Sequence, residues 1–134
     1  MPSAVCRALI AVLCTGLAAF FGFVGWNKAF APLEDLARYH AWTVYLPEWL
    51  GRMVGWSEML LALTLLLVFL PARHGIARIA ALALIANQLG AATVHAFQGE
   101  AAALPQNAVL IALLALVAWM PCSNPMQTHG GNAR

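Results

Sequence analysis

Gly22-Phe23-Val24-Gly25-Trp26-Asn27-Lys28 closes a long apolar segment, and Lys28 is the first charged residue after Arg7. The uncharged stretch between these two residues is as long as the roughly 20 residues that a helix needs to cross the hydrocarbon of a bilayer. The sequence therefore predicts a membrane-spanning helix that ends with an amide and an ammonium group side by side.

The composition of the whole chain agrees with a membrane protein. Hydrophobic residues make up 63% of the 134 residues and charged residues only 9%, against roughly 25% charged residues in soluble domains. A soluble fold of this size has too much surface for its volume to bury so many apolar side chains. The net charge of +2, without a basic cluster, argues against nucleic acid as a partner. We expect an all-α integral membrane protein.

Four segments are long and apolar enough to cross the bilayer as helices, which satisfy their own backbone hydrogen bonds in lipid. They are predicted at about 8–27, 53–70, 76–97 and 104–120. Pro105 suits the first turn of the fourth helix, and Pro121 ends it. Because the second and third connections are short, the helices should form an up-down bundle. Residues 1–121 are predicted to be one domain and residues 122–134 a flexible polar tail.

The first apolar segment has a second interpretation. Arg7, an apolar core and the small residues of Leu17-Ala18-Ala19 resemble a cleaved signal peptide. A retained helix is favoured, because the apolar run continues to Trp26 and cleavage would leave only three spans.

The connection at residues 29–51 is the only long one. Pro32 followed by Glu34 and Asp35 is typical of a helix start, and the apolar face that follows suits a short helix on the membrane surface. The aromatic residues after it are expected to cover the outer end of the bundle: Tyr39, Trp42, Tyr45 and Trp49.

Four positively charged residues lie on one membrane face and three on the other, and this difference favours a cytoplasmic location for both termini. Arg7, Arg73, Arg78 and Arg134 lie on the face that the two termini share, and Lys28, Arg38 and Arg52 lie on the other. The expected location is the bacterial inner membrane, with both termini inside.

The cysteines and histidines form no metal-binding pattern. No C-x-x-C pair occurs among Cys6, Cys14 and Cys122. A redox pair between Cys6 and Cys122 is conceivable, since both are expected near the same membrane face. Haem is disfavoured, because His95 has no second histidine on a facing span.

Several polar residues lie within the apolar spans, where each needs a partner or a function. Glu58 lies six residues inside Arg52, or about 9 Å along a helix, and Lys28 enters from the same face. A Lys28–Glu58 ion pair would fix the register of two neighbouring helices. His95 should lie at about the depth of Lys28. The sequence predicts one pocket in the outer half of the bundle, with these residues around it: Asn27, Lys28, Glu58, Asn87, His95 and Gln98.

Two interpretations of this pocket stay open. Hydrogen-bond donors, a carboxylate or imidazole that exchanges protons, and aromatic walls would suit a quinone head group, with Lys28, Glu58 and His95 as candidate catalytic residues. Alternatively, the amides and His95 only join helices by hydrogen bonds.

The spacing of these residues resembles that of the DoxX and DoxX-like family. The matching features are Gly25-x-x-Lys28 at the end of the first helix, Gly55-x-x-Glu58 in the second, and a third helix that ends near His95. The resemblance covers the chain from about Arg7 to Trp119. It implies a small four-helix protein of the bacterial inner membrane. The namesake is a membrane subunit of a thiosulfate–quinone oxidoreductase, and other relatives are linked to membrane oxidoreductase complexes or have no known role.

We therefore expect the accessory membrane subunit of a redox complex, which anchors a soluble partner and lines a quinone-accessible site. A scaffold or assembly factor without catalytic activity is the alternative from another class, with polar residues that only lock the helices together. A small-solute carrier is a third possibility. It would require a homo-oligomer to form a pore, because the chain has neither a repeat nor a broken central helix.

Overall fold

The computed structural model describes residues 3–120, and these residues form helices and turns with no strand. The α-helices are α1 (Ser3–Phe30), α2 (Leu33–Arg38), α3 (Glu48–Leu65), α4 (His74–Phe97) and α5 (Leu104–Trp119). Short 3-10 segments lie at Trp42–Tyr45, Leu66–Phe69, Pro71–Arg73 and Ala101–Ala103. The prediction of an all-α chain is confirmed. Pro121, Cys122 and the predicted tail at 122–134 lie outside the described residues.

Four helical segments in this part of the chain are long and apolar enough to cross a membrane, as predicted. They are Ala4–Phe30, Glu48–Phe69, His74–Phe97 and Ala101–Trp119. Large apolar side chains cover their outer surface, and Val12 and Leu63, for example, are more than half exposed. Exposed apolar surface on this scale is typical of a protein that faces lipid.

Two of the spanning helices begin earlier than the hydropathy pattern predicts. α1 begins at Ser3 and α3 at Glu48, each five residues before the predicted start of its span. Pro47 precedes α3, and its carbonyl accepts the backbone N–H groups of Leu50 and Gly51. The local turn therefore starts the helix, whereas hydropathy detects a span only after the charge of Arg52.

The predicted short helix in the first connection is present as α2. Pro32 stands directly before it, and Glu34 and Asp35 lie in its first turn, where acidic side chains interact favourably with the helix dipole. Leu36 is buried, so α2 packs one apolar side chain against the bundle.

α1 and α3 approach each other so closely that only glycine fits at their crossing. A Cβ atom added to Gly25 would lie 2.7 Å from the carbonyl oxygen of Gly55, and one added to Gly55 would lie 2.6 Å from the backbone nitrogen of Ala29. Small residues that let helix backbones come together are a common device in membrane proteins. α4 packs between α3 and α5, and the shared core contains Phe21, Leu65, Leu84 and Leu114.

Candidate functional site

A buried network joins three of the spanning helices through the carboxylate of Glu58. Its Oε1 atom accepts a hydrogen bond from Lys28 Nζ at 2.6 Å and another from Asn87 Nδ2 at 2.6 Å. Glu58 is fully buried and Lys28 is only 5% exposed. The predicted Lys28–Glu58 pair is therefore present, and Asn87 adds a second donor from α4.

The other oxygen of Glu58 has no hydrogen-bond partner. Oε2 is buried, whereas both donors of the network converge on Oε1. Oε1 thus takes both donors of the network, and Oε2 is the oxygen at which a further donor could bind.

The first connection folds over the ammonium group of this pair. Lys28 Nζ lies 5.4 Å from the centre of the Trp42 ring, within the distance at which a cation is attracted to an aromatic face. Arg52 closes the same end of α1, because its guanidinium donates to the carbonyls of Lys28 and Ala31 at 3.1 and 2.6 Å. A basic side chain on the last carbonyls of a helix also interacts favourably with the helix dipole.

A second polar cluster lies at the end of α4 and is centred on Glu100. Its Oε2 atom lies 2.6 Å from His95 Nδ1, and its Oε1 atom accepts a hydrogen bond from the Tyr45 hydroxyl at 2.7 Å. His40 Nδ1 lies 3.4 Å from the same Oε1 atom. Because a carboxylate can only accept, His95 Nδ1 carries a hydrogen in this arrangement, and Nε2 is left to exchange a proton.

The turn after α4 places Glu100 beside its own helix. The backbone N–H of Glu100 donates to the carbonyl of His95 at 2.9 Å, and that of Gly99 donates to Ala96 at 3.3 Å. Gly99 has φ of +73°, the left-handed conformation that favours glycine. These two bonds and this φ value form a Schellman motif, which returns the chain towards the last helical turn.

Hydrogen bonding shifts the pKa values of Glu100 and Tyr45 in opposite directions. The hydroxyl of Tyr45, followed by His95, holds the pKa of Glu100 below its ordinary value. The same hydrogen bond to Glu100 raises the pKa of Tyr45, because the neutral phenol is the donor. Glu100 is thus a carboxylate and Tyr45 a neutral phenol at neutral pH.

A cavity of about 720 Å³ lies between α1, α4 and α5 under the first connection. We call it the outer cavity. Its apolar and aromatic walls include Phe20, Phe23, Leu36, Tyr39, Trp42 and Leu110, and its polar lining includes Asn27, Lys28, Asp35, His40, Gln88, His95, Gln106 and Asn107. A volume of several hundred Å³, in which polar groups are placed between apolar and aromatic walls, is typical of small-molecule sites.

The structure brings some of the predicted site residues to the outer cavity and leaves others away from it. Asn27, Lys28 and His95 line it. Glu58 and Asn87 do not, but both are bonded into the network that holds Lys28. The side chain of Gln98 is exposed and does not line the cavity.

The predicted pocket did not include Gln88, Glu100 or Asn107. Gln88 is buried on the same face of α4 as His95 and lines the cavity, whereas the neighbouring Asn87, which the predicted pocket included, does not line it. Asn107 is 6% exposed, and its Nδ2 atom has no hydrogen-bond partner. The sequence feature that could have indicated Asn107 is a polar residue one turn inside an apolar helix.

Comparison with known proteins gives a match to a protein-family model. No curated protein and no solved structure is significantly similar to the chain. The DoxX-like family model matches residues 12–117, a range that contains both polar clusters and every residue of the outer cavity, and the chain therefore belongs to the DoxX-like family.

Proposed function

We propose that this protein is the membrane subunit of a redox complex in the bacterial inner membrane, and that its outer cavity binds the head group of a quinone. The observation that carries the proposal is the chemistry of the cavity. Apolar and aromatic walls surround hydrogen-bond donors and a histidine whose orientation is fixed by a carboxylate. A quinone head group is a flat apolar ring with two carbonyl oxygens, which accept hydrogen bonds.

Asn107 is the best-placed donor for one of these carbonyls. Its amide is buried, lines the cavity and makes no hydrogen bond from Nδ2. A buried polar group without a partner is unfavourable by about 1–3 kcal/mol, so a ligand with an acceptor oxygen would relieve this cost. Lys28 has three N–H donors, of which Glu58 accepts one, and it can supply a second contact.

His95 is the group that we propose for proton exchange. Reduction of a quinone to a quinol takes two electrons and two protons. Nε2 of His95 can exchange a proton while Glu100 holds Nδ1. We propose that the electrons come from a soluble redox partner that this subunit anchors. The excess of arginine at the end that carries Arg7 and Arg78 favours a cytoplasmic location for that end.

Gentle purification followed by mass spectrometry tests the proposal. We expect bound quinone and a redox protein to copurify with the wild-type chain, and bound quinone to fall in Asn107→Leu. Gln98→Leu is a matched control, because it removes an exposed amide outside the cavity. If the wild-type protein carries neither quinone nor a redox partner, the proposal is wrong.

A scaffold without catalytic activity is the second candidate, and the network around Glu58 favours it. Lys28, Glu58 and Asn87 lock three helices together in the manner expected of a structural ion pair. If the protein is only a scaffold, Glu58→Gln lowers the thermal stability in detergent but leaves respiratory electron flow per folded molecule unchanged.

A further inference from the structure

A second cavity, of about 240 Å³, lies at the opposite end of the bundle from the outer cavity. We call it the basic cavity. Its walls come from the beginning of α1, the turn before α4, the first residues of α4 and the end of α5. Arg7, His74 and Arg78 are its ionisable residues, and Val68, Phe69 and Val117 are among its apolar ones.

The ionisable side chains among the described residues that line this cavity are all basic. All five acidic residues of the chain are remote in sequence from the segments that form it: Glu34, Asp35, Glu48, Glu58 and Glu100. Glu58 is the acid nearest along α3, and it lies ten residues, or about 15 Å of helix, before Val68. Its charge is already paired with Lys28. An anion in the basic cavity would therefore meet the guanidinium groups of Arg7 and Arg78, with no Asp or Glu among the described residues that line it.

Arg78 is held in position at the edge of the cavity. Its Nη2 atom donates to the carbonyl oxygen of Met120 at 3.1 Å, which joins the start of α4 to the end of α5. A guanidinium has five N–H groups in a fixed planar arrangement, so this bond uses one and leaves others on the same plane. That geometry matches the oxygens of a phosphate better than a single point charge does.

The apolar walls distinguish a lipid from a free anion. Phe69 lines the cavity and is 58% exposed, so the cavity continues onto the apolar outer surface of the bundle. Ile79, one residue after Arg78, is 66% exposed on that surface. A phosphate in the cavity could thus be attached to acyl chains that lie along the helices, whereas a free phosphate would gain nothing from these walls.

We propose that the basic cavity binds the phosphate of an anionic phospholipid, with Arg7 and Arg78 beside the phosphate and the acyl chains outside along α1 and α4. Basic pockets between membrane helices are known to bind the head groups of anionic lipids. Phospholipid binding in the basic cavity does not depend on quinone binding in the outer cavity, so one of the two proposals can be wrong while the other holds.

Purified protein in a neutral detergent provides the test, with phosphatidylglycerol and phosphatidylcholine as probes. We expect phosphatidylglycerol to raise the thermal midpoint and to remain bound in native mass spectrometry, and phosphatidylcholine to do neither. Removing one basic residue should weaken binding about fivefold, and Arg7→Gln/Arg78→Gln on the order of 25-fold. Arg38→Gln/Arg73→Gln is the matched control, because it removes the same charge from exposed arginines that do not line the cavity.

Three results would overturn the proposal. The first is equal stabilisation by the two lipids. The second is equal loss of binding in the two double variants, which would indicate a general effect of net charge. The third is full stabilisation by inorganic phosphate alone, which would indicate a site for a free anion. If Arg7→Gln/Arg78→Gln does not fold, Arg7→Gln alone keeps the bond between Arg78 and Met120 and should still weaken binding about fivefold.

Discussion

Lys28 Nζ lies 2.6 Å from Glu58 Oε1, and each of these residues follows by three positions the glycine at which its helix crosses the other. The crossing of Gly25 and Gly55 brings the backbones of α1 and α3 together. The two helices run antiparallel, since Gly25 lies against Met59 and Gly55 against Ala29. Lys28 and Glu58 therefore lie in opposite directions from their glycines along the helix axes, and the long lysine side chain bridges the distance between them. The spacing Gly25-x-x-Lys28 and Gly55-x-x-Glu58 is therefore one device, in which close backbone contact positions a buried ion pair.

Breaking this pair from one side should destabilise the bundle more than removing it altogether. Lys28→Met leaves Glu58 buried with only the Asn87 amide to stabilise its charge, and we expect a loss of about 3 kcal/mol or more. The double variant Lys28→Met/Glu58→Met leaves no buried charge and should recover much of that loss. Thermal unfolding in mild detergent measures both effects.

Glu34→Gln is the control for this comparison, because it removes an exposed carboxylate at the start of α2. It should change the thermal midpoint little. A double variant less stable than Lys28→Met would contradict the interpretation, since it would mean that an unpaired Glu58 is tolerated in the core.

Alanine at the helix crossing should destabilise the protein more than the addition of a single methyl group suggests. In Gly55→Ala the new Cβ atom would lie 2.6 Å from the backbone nitrogen of Ala29 and 2.7 Å from the carbonyl oxygen of Gly25. Both contacts are with backbone, so α1 and α3 have to move apart. Overpacking of this kind costs about 1–3 kcal/mol, and it should also lengthen the Lys28–Glu58 contact. Thermal unfolding of the variant in detergent measures the loss.

Gly22→Ala is the matched control, because a Cβ atom there would have no atom within 4 Å. Alanine also has a higher helix propensity than glycine, so this variant should be as stable as the wild type or more stable. Equal destabilisation by both substitutions would show that the close crossing is not the cause.

The sequence was sufficient for the architecture because lipid imposes strong constraints on it. Apolar length predicted four spans, and the cost of a buried charge predicted that Lys28 and Glu58 would meet. Both are found in the structure. The beginning of α3 at Glu48 was missed, because a turn at Pro47 sets it and not the hydropathy pattern.

Side-chain placement around the outer cavity was harder to predict, since it depends on the rotation of α4. A rotation of one residue exchanges Gln88 for Asn87 on the face that lines the cavity. Glu100 was not among the predicted site residues, although the Gly99 turn brings it back to His95. A glycine two residues after the last helical residue is a local pattern that could have indicated this return.

Glu100 should make the stability of this end of the bundle depend on pH. Its pKa in the folded protein lies below the ordinary value of 4.5, because Tyr45 and His95 donate hydrogen bonds to the carboxylate. A lowered pKa contributes stability above about pH 4.5, and this contribution is lost as the pH falls through the folded-state pKa. The difference in thermal midpoint between wild type and Glu100→Gln should therefore be largest near neutral pH and shrink below pH 4.5.

Tyr45→Phe checks the cause of this shift. It removes the first of the two donors while keeping the ring, so its pH dependence should lie between those of the wild type and Glu100→Gln. His40 also faces Glu100, but at 3.4 Å and on an exposed side chain, so His40→Gln should change the profile less. A constant difference between wild type and Glu100→Gln across the pH range would refute the role of the carboxylate.

Asn107 should show opposite effects on stability and on binding. Leucine has the same number of side-chain heavy atoms in the same branched arrangement, and it removes the buried amide whose Nδ2 atom lacks a partner. Asn107→Leu should therefore stabilise the ligand-free protein by about 1 kcal/mol. The same change removes a donor from the outer cavity and should lower the affinity for quinone about fivefold. Thermal unfolding of delipidated protein and titration with a short-chain quinone measure the two quantities. A residue that only joins helices would lose stability instead, so a fall in both quantities together would assign Asn107 to packing and not to the ligand.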